Sequence, residues 1–111
     1  MSDRASLEAV VITTTAASLD AAEALAVRLV ENRLAACVQI APITSLYAWE
    51  GKTTRAAEYL LTIKTRASLF PVIEAAVRAN HDYAVPEIIA VAVTDISADY
   101  LAWLLDATES S

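Results

Sequence analysis

An α+β fold is what the sequence predicts, because strand-like and helical patterns follow one another as β, α, β, β, α, β, with one more helix at the end. Split βαβ units in this order form ferredoxin-like sandwiches, in which helices cover one face of an antiparallel sheet. The 111 residues suit a single domain over 1–111, with a core over about 8–107. Hydrophobic residues make up 57% of the chain. One small domain cannot hide that much apolar surface, so we expect copies to associate.

The first half of the chain reads as a strand, a helix and a long extended segment. Residues 7–15 are rich in β-branched side chains and predict a buried strand. Ser18 or Asp20 then caps a helix that ends near Asn32, with apolar residues recurring at helical spacing between them. Residues 35–50 form the extended segment.

The second half begins with a hairpin turn at Gly51, the only glycine in the chain. The returning strand covers 56–65. A helix capped by Ser68 then follows and ends at Asn80. Residues 87–96 predict the last strand of the sheet. Ser97 then caps a terminal helix.

The hairpin is too long for the globule that carries it. Fifteen extended residues, 36–50, measure about 50 Å, whereas a domain of this size has a diameter of roughly 35 Å. Pro42 has no N–H group, so we expect a bend or a bulge there. A projecting apolar strand pair promotes aggregation unless another subunit pairs with it, which again predicts association.

Composition excludes several classes of function. The net charge is −6, which argues against a nucleic-acid binder. A single glycine leaves no room for a Walker loop or a GxGxxG motif. The single cysteine excludes an intrachain disulfide, and we find neither a signal peptide nor a membrane span. We therefore expect a cytoplasmic protein.

The most polar stretch, NHDYAVPE over residues 80–87, contains the only histidine, His81. It is either a polar turn between a helix and a strand or one edge of a site. A structural zinc site needs four ligands, mainly Cys and His, and this chain has one of each. His81 and Cys37 are the candidate ligands of a weaker metal site, with Asp82, Glu87 or residues of another subunit. The alternatives are a helix-end histidine and a core cysteine.

Glu58 and Lys64 are six residues apart on one predicted strand, so both side chains lie on the same side of the sheet. They form a buried pair, a cleft, or a guard against edge-to-edge pairing. Most of the aromatic residues adjoin polar ones, which is typical of a cleft and more often of a subunit interface. The aromatics considered for the cleft or interface are Tyr47, Trp49, Tyr83, Tyr100 and Trp103, and several of these have a polar neighbour in sequence.

Five stretches, in this order, resemble the CutA-type divalent-cation tolerance family, and the resemblance spans residues 9–105. They are NRLAACVQI (32–40), ITSLYAWEGK (43–52), EYLLTIKT (58–65), HDYAVPEI (81–88) and YLAW (100–103).

The resemblance implies a ferredoxin-like subunit, a homotrimer built by strand pairing, similarity to the P-II signal transducers, and a link to copper and other divalent metals. Copper-binding relatives have a cysteine at the position of Thr13 and a histidine at that of Asn80, so this chain lacks both ligands. Cys37 matches the family's other familiar cysteine. Counterparts of cleft residues in the family are Trp49, Glu58, Lys64, His81, Tyr83, Glu87 and Trp103.

We therefore hypothesise a non-enzymatic homotrimer of divalent-metal tolerance, with no obligatory cofactor, copper or zinc as candidate ligands and an unknown protein as candidate partner. A second hypothesis is a P-II-like signalling module that binds a small ligand between subunits. The third is an enzyme that uses polar residues of the cleft as acid and base, although no nucleophile–base spacing supports it. Its acid–base candidates are Glu58, Lys64, His81 and Tyr83.

Overall fold

The computed structural model describes residues 8–81 and 83–109. Its elements are β1 (Ala9–Ala16), α1 (Leu19–Glu31), β2 (Cys37–Trp49), β3 (Lys52–Arg66), α2 (Phe70–Ala79), β4 (Ile89–Ala92) and α3 (Ala98–Ala107). The four strands form one antiparallel sheet in the order β2-β3-β1-β4. This order is that of a ferredoxin-like sandwich and confirms the predicted α+β fold.

The main core lies between one face of the sheet and the helices α1 and α2. Strand alternation directs every second side chain of β1 and β3 to this face, where Ile12 pairs with Ile63 in the register. Both are fully buried, as are the inner residues of the two helices. Those inner residues include Leu29 of α1 and Ile73 and Val77 of α2.

The second face of the sheet is only partly covered. Helix α3 packs over one end of it, where Leu104 meets Ala9 and Ala36 in a smaller cluster. Ile89 and Val91 of β4 lie opposite alternate residues of β1 on this face and remain 52% and 58% exposed. We call the uncovered part of this surface the open face.

The hairpin of β2 and β3 projects from the globule, as predicted. The two strands have 13 and 15 residues, and the longest dimension of the molecule is 47 Å against 26 and 22 Å for the others. Trp49 pairs with Lys52, so the turn consists of Glu50 and Gly51 alone. Both have positive φ, 50° and 76°, which is the two-residue turn that matches strand twist.

Pro42 does not interrupt β2, so the bulge, one of the two alternatives predicted there, is absent. The register between β2 and β3 runs without a gap from Cys37 to Trp49, and Pro42 pairs with Tyr59. Because β2 is an edge strand, a residue without an N–H group can sit where the missing donor would have faced away from β3.

Helix α1 begins after Ser18, which was one of the two caps predicted for it. Ser18 is its N-cap and accepts a hydrogen bond from the backbone N–H of Ala21 at 3.1 Å. Asp20 is an acidic residue of the first turn, not the cap, and Asn32 ends the helix. Among the described helices, none has both the length and the apolar character needed to cross a membrane.

Helix α2 begins two residues later than predicted, and the expectation that Ser68 caps it was wrong. Ser68 lies in a single 3-10 turn, Ala67–Leu69, and Leu69 occupies the N-cap position without a side-chain hydrogen bond. Pro71 explains the shift, because proline is favoured in the first turn, where its missing N–H would have no partner.

Ser97 does precede α3, but its side chain makes no cap hydrogen bond to the helix backbone. The Ser97 hydroxyl and the backbone N–H of Tyr100 instead bond to Asp99 and lower the pKa of that exposed carboxyl below its ordinary value. The first turn of α3 therefore carries a stabilised negative charge near the positive end of the helix dipole.

Strand β4 is shorter than the predicted 87–96. Only Ile89–Ala92 pairs with β1, and one further bond joins the N–H of Val93 to the carbonyl of Ala9 at 3.1 Å. β1 begins at Ala9, so β4 has no partner beyond that point within the residues that the structure describes.

Candidate functional site

The loop of residues 80–88 between α2 and β4 is anchored to the sheet by His81. The ring Nε2 lies 2.7 Å from the backbone oxygen of Thr15, and the N–H of Tyr83 donates to Nδ1 at 3.3 Å. A carbonyl accepts and an N–H donates, so these two contacts fit the tautomer that has its proton on Nε2. In this conformation neither ring nitrogen has a lone pair available for a metal ion.

A buried carboxylate lies beneath the same loop. Glu58 of β3 is only 6% exposed, and the hydroxyl of Tyr83 donates to its Oε2 at 2.9 Å. A hydrogen bond to a charged group contributes about 1.5–3 kcal/mol, more than a neutral one. This bond joins residues 25 positions apart and explains how an apolar strand accommodates a glutamate.

A second carboxylate is bound to β1. The hydroxyl of Thr13 donates to Oε2 of Glu87 at 2.8 Å, and Pro86 beside it is buried. Thr13 is the position where the resemblance described above implies a cysteine in copper-binding relatives. Here the position supplies a hydroxyl that orients Glu87 and does not supply a soft metal ligand.

These residues border an open groove of about 900 Å³, which we call the hairpin groove. Its walls are residues 45–47 and Trp49 of the hairpin on one side and residues 83–89 on the other, with Thr15 and Glu58 contributed by the sheet. Besides His81, whose contacts are given above, six residues were predicted for a ligand cleft, and the groove contains four of them. These four are Trp49, Glu58, Tyr83 and Glu87.

The other two predicted cleft residues lie at the opposite end of the sheet. The ammonium of Lys64 is 5.8 Å from the ring centre of Tyr100, which in turn lies 5.3 Å from the ring of Trp103. Lys64 therefore makes a cation–π contact under α3, and no ion pair joins it to Glu58 among the residues described. Within one chain, the predicted cleft is two separate clusters.

Cys37 and His81, the predicted metal ligands, are also far apart in one chain. Cys37 is a half-buried free thiol at the start of β2, level with Lys64 and hence with Val11 of β1. His81 binds at Thr15, four residues further along β1, which is about 13 Å along the strand direction alone. The described parts of the chain contain no group of three or more His, Cys, Asp or Glu side chains placed to hold a metal ion. Asp82 lies outside the described residues.

The sequence reading did not identify the groove residues that come from β1. Thr13 and Thr15 belong to a run of three threonines on a buried strand. Polar residues at such positions are the feature of the sequence that could have indicated a site there. Strand alternation places both side chains on the face opposite the main core; Thr13 binds the loop through its hydroxyl, whereas Thr15 binds it through its backbone carbonyl.

Comparison with known proteins gives one consistent family. Residues 10–107 match the family model of the CutA1 divalent ion tolerance protein. The Thermus thermophilus divalent-cation tolerance protein CutA is 42% identical over 99 residues, covering 88% of this chain and 96% of that protein. Chloroplastic CutA proteins of Arabidopsis thaliana and Oryza sativa are 45% and 44% identical, and the matches span only 56% and 58% of their length.

Solved structures agree. CutA1 from Oryza sativa superposes with a TM-score of 0.89 at 42% identity, covering 96% of this chain and 99% of that one. The periplasmic divalent cation tolerance protein CutA from Archaeoglobus fulgidus gives 0.88 at 40% identity, covering 91% and 99%. The family model, the identities and the shared fold cover nearly the whole domain, and the chain belongs to the CutA1 divalent ion tolerance family.

Proposed function

We propose that this protein is a non-enzymatic homotrimer that acts in divalent-metal tolerance. The observation that carries the proposal is that both edge strands of the sheet lack charged residues. β2 and β4 are the edge strands, and neither contains a charged residue in its 13 and 4 positions. Soluble proteins normally guard such edges with charge or cover, and an unguarded edge is a site of strand pairing.

The pairing of β2 in one copy with β4 in the next joins two different surfaces. Such a head-to-tail contact forms a ring if its rotation closes, and three copies is the number that the family resemblance implies. The same contact would bring the open face, with Ile89 and Val91, toward neighbouring copies. The apolar surface that a single chain exposes supports this arrangement.

Light scattering tests the assembly. We expect a mass of about 36 kDa, three times the 11.9 kDa of the chain, at micromolar concentration. Val91→Lys puts a charge on the open face and should shift the mass toward that of one chain. Val27→Lys is the matched control, since Val27 is 52% exposed on α1, on the other side of the sheet, and should leave the mass unchanged. A wild-type mass of 11.9 kDa would contradict the proposal.

Copper and zinc enter this proposal as ligands held between copies. Among the residues that the structure describes, one chain has no group of three or more His, Cys, Asp or Glu side chains placed to hold a metal ion, and the ring nitrogens of His81 are occupied by hydrogen bonds. The thiol of Cys37 is the freest soft donor, and an assembly would supply one from each copy.

Calorimetry with Zn(II), which does not oxidise thiols, tests that ligand set. We expect Cys37→Ser to weaken zinc binding by at least about tenfold, because a hydroxyl is a poor zinc ligand. His81→Gln, which removes the imidazole, should have the smaller effect. Identical isotherms for wild type and Cys37→Ser would remove direct metal binding from the proposal.

The hairpin groove favours a second candidate, a P-II-like signalling module that binds a small ligand and regulates an unidentified partner protein. A groove of about 900 Å³ with a few convergent polar groups is within the range of small-molecule sites. A thermal-shift screen of small ligands tests it, since a ligand at 100 times its Kd adds about 2.7 kcal/mol to stability. The absence of a shift with every compound would rule this candidate out.

The absence of catalysis and the compartment are parts of the proposal too. His81, Tyr83 and Glu58 are engaged in hydrogen bonds that hold the loop against the sheet, which supports a structural role for them. A cytoplasmic location is supported by the single free cysteine, which cannot form an intrachain disulfide. Subcellular fractionation measures the location directly.

A further inference from the structure

The charges that line the hairpin groove are all of one sign. Glu58 and Glu87 are its ionisable carboxylates, and the described residues that line it include no lysine, arginine or histidine. Glu58 is 94% buried from solvent, since only 6% of it is exposed, so its charge acts in a medium of lower dielectric than water. The groove therefore disfavours anions such as phosphates and carboxylates and favours cations.

Both carboxylates are held in place before any ligand arrives. Oε2 of Glu58 accepts from Tyr83, and Oε2 of Glu87 accepts from Thr13. In each case the described residues give the other carboxylate oxygen no hydrogen-bond partner, and a carboxylate has about four acceptor positions, so this oxygen can accept from a ligand. Fixed acceptors of this kind lower the entropy that binding would otherwise cost.

The rest of the lining is aromatic and apolar. Tyr47 and Trp49 are 41% and 49% exposed at the hairpin wall, and Val85 is 74% exposed on the facing wall. An aromatic face attracts a cation through its quadrupole, most strongly in tryptophan. A bare metal ion makes no use of apolar walls, whereas an ammonium on an apolar stem satisfies both kinds of surface.

We propose that the hairpin groove binds a small organic amine, a primary ammonium group carried on an apolar stem. The ammonium donates to Glu58 and Glu87, and the stem lies against Trp49 and Val85. This inference rests on the second candidate function, the ligand-binding module, and supplies its ligand class. No covalent step is involved.

Fluorescence of a single tryptophan tests the proposal. The chain has two tryptophans, so Trp103→Phe leaves Trp49 as the only one, inside the groove. Benzylamine is the probe, and its neutral isostere benzyl alcohol is the control ligand. We expect benzylamine to change Trp49 emission saturably and benzyl alcohol to bind at least about tenfold more weakly, since it lacks the charge.

Carboxamide variants locate the charge that is recognised. Glu58→Gln should weaken benzylamine binding by about tenfold or more. Glu87→Gln, at an exposed side chain, should act in the same direction and serves if Glu58→Gln fails to fold. Glu23→Gln removes an equal charge on α1 and should change nothing.

Three results would overturn the inference. The first is equal binding of benzylamine and benzyl alcohol, or no binding of either. The second is displacement of benzylamine by micromolar Zn(II) alone, which would make the groove a metal site. The third is binding only in Lys52→Met, which would mean that a neighbouring copy's lysine fills the groove.

Light scattering on the same samples separates this inference from the assembly. If the protein is a trimer and does not bind benzylamine, the proposed ligand class is wrong and the proposed trimer is supported. A single chain of 11.9 kDa that binds benzylamine overturns the trimer and leaves the ligand class standing.

Discussion

At the scale of single residues, the threonines of β1 have two different environments. Thr13 and Thr15 face the second side of the sheet and bond to the loop of residues 80–88. Thr14 points the other way, is fully buried in the main core, and has no hydrogen-bond partner for Oγ1 among the residues described. A buried hydroxyl without a partner lowers stability, because it loses water and gains nothing in return.

Thr14→Val should therefore stabilise the fold by about 1 kcal/mol, since valine has the same shape and no polar atom. Chemical denaturation with urea measures the change. Thr65→Val is the matched control at another fully buried threonine, whose Oγ1 donates to the carbonyl of Leu34 at 2.6 Å. That variant should lose about 1 kcal/mol. If both variants are destabilised equally, Thr14 has a partner in solution.

At the scale of the elements, the hairpin turn joins the two longest strands of the sheet with the fewest residues that such a turn allows. Two residues connect 13 and 15 residues of strand, and both need positive φ. Gly51 adopts φ of 76° without steric cost, whereas Glu50 at 50° has a Cβ that disfavours this region. Of the two turn residues, Gly51 therefore suits its backbone conformation, whereas Glu50 does not.

Glu50→Asn should raise stability by about 0.5 kcal/mol, because Asn-Gly is the preferred pair for this turn. Gly51→Ala should lower stability by about 1 kcal/mol through backbone strain alone, since an added Cβ at this position meets nothing within 4 Å. Thermal and urea unfolding of both variants provide the measurement. A neutral Gly51→Ala would mean that the turn has a different conformation in solution.

Helix α3 is held in place by side chains from other parts of the chain, and the sequence of the helix itself does not predict these contacts. Arg33 donates to the carbonyls of Asp106 and Glu109, and Arg66 donates to the carbonyl of Leu105. Guanidinium groups at a helix C-terminus bind its unpaired carbonyls and oppose the negative end of the dipole. These contacts fix α3 over one end of the second face and leave the rest of that face open.

At the scale of the whole molecule, the proposed trimer links stability to concentration. Folding that is coupled to association follows mass action, so a tenfold dilution should lower the Tm. Differential scanning calorimetry over a range of protein concentrations measures this shift. Val91→Lys, if it separates the copies, should have a lower Tm that no longer depends on concentration. A Tm of the wild type that is constant on dilution would contradict coupled folding and association.

The fold was largely predictable because its signals are local. Alternation along 56–65, the helical stripe around Ile73 and the single glycine at the turn each depend on residues close in sequence. One error was local, since the cap of α2 moved because of Pro71, whereas β4 is shorter than predicted for a non-local reason, since its partner strand begins at Ala9.

By itself, the sequence determined the order of the elements, the projecting hairpin and the family to which the chain belongs. Only the tertiary structure decided which side chains meet. Tyr83 reaches Glu58 across 25 residues and Thr13 reaches Glu87 across 74, while Lys64, on the same strand as Glu58, belongs to another cluster. The physical reason is that such contacts depend on strand register and on the path of a loop over the sheet, which periodicity along the chain does not encode.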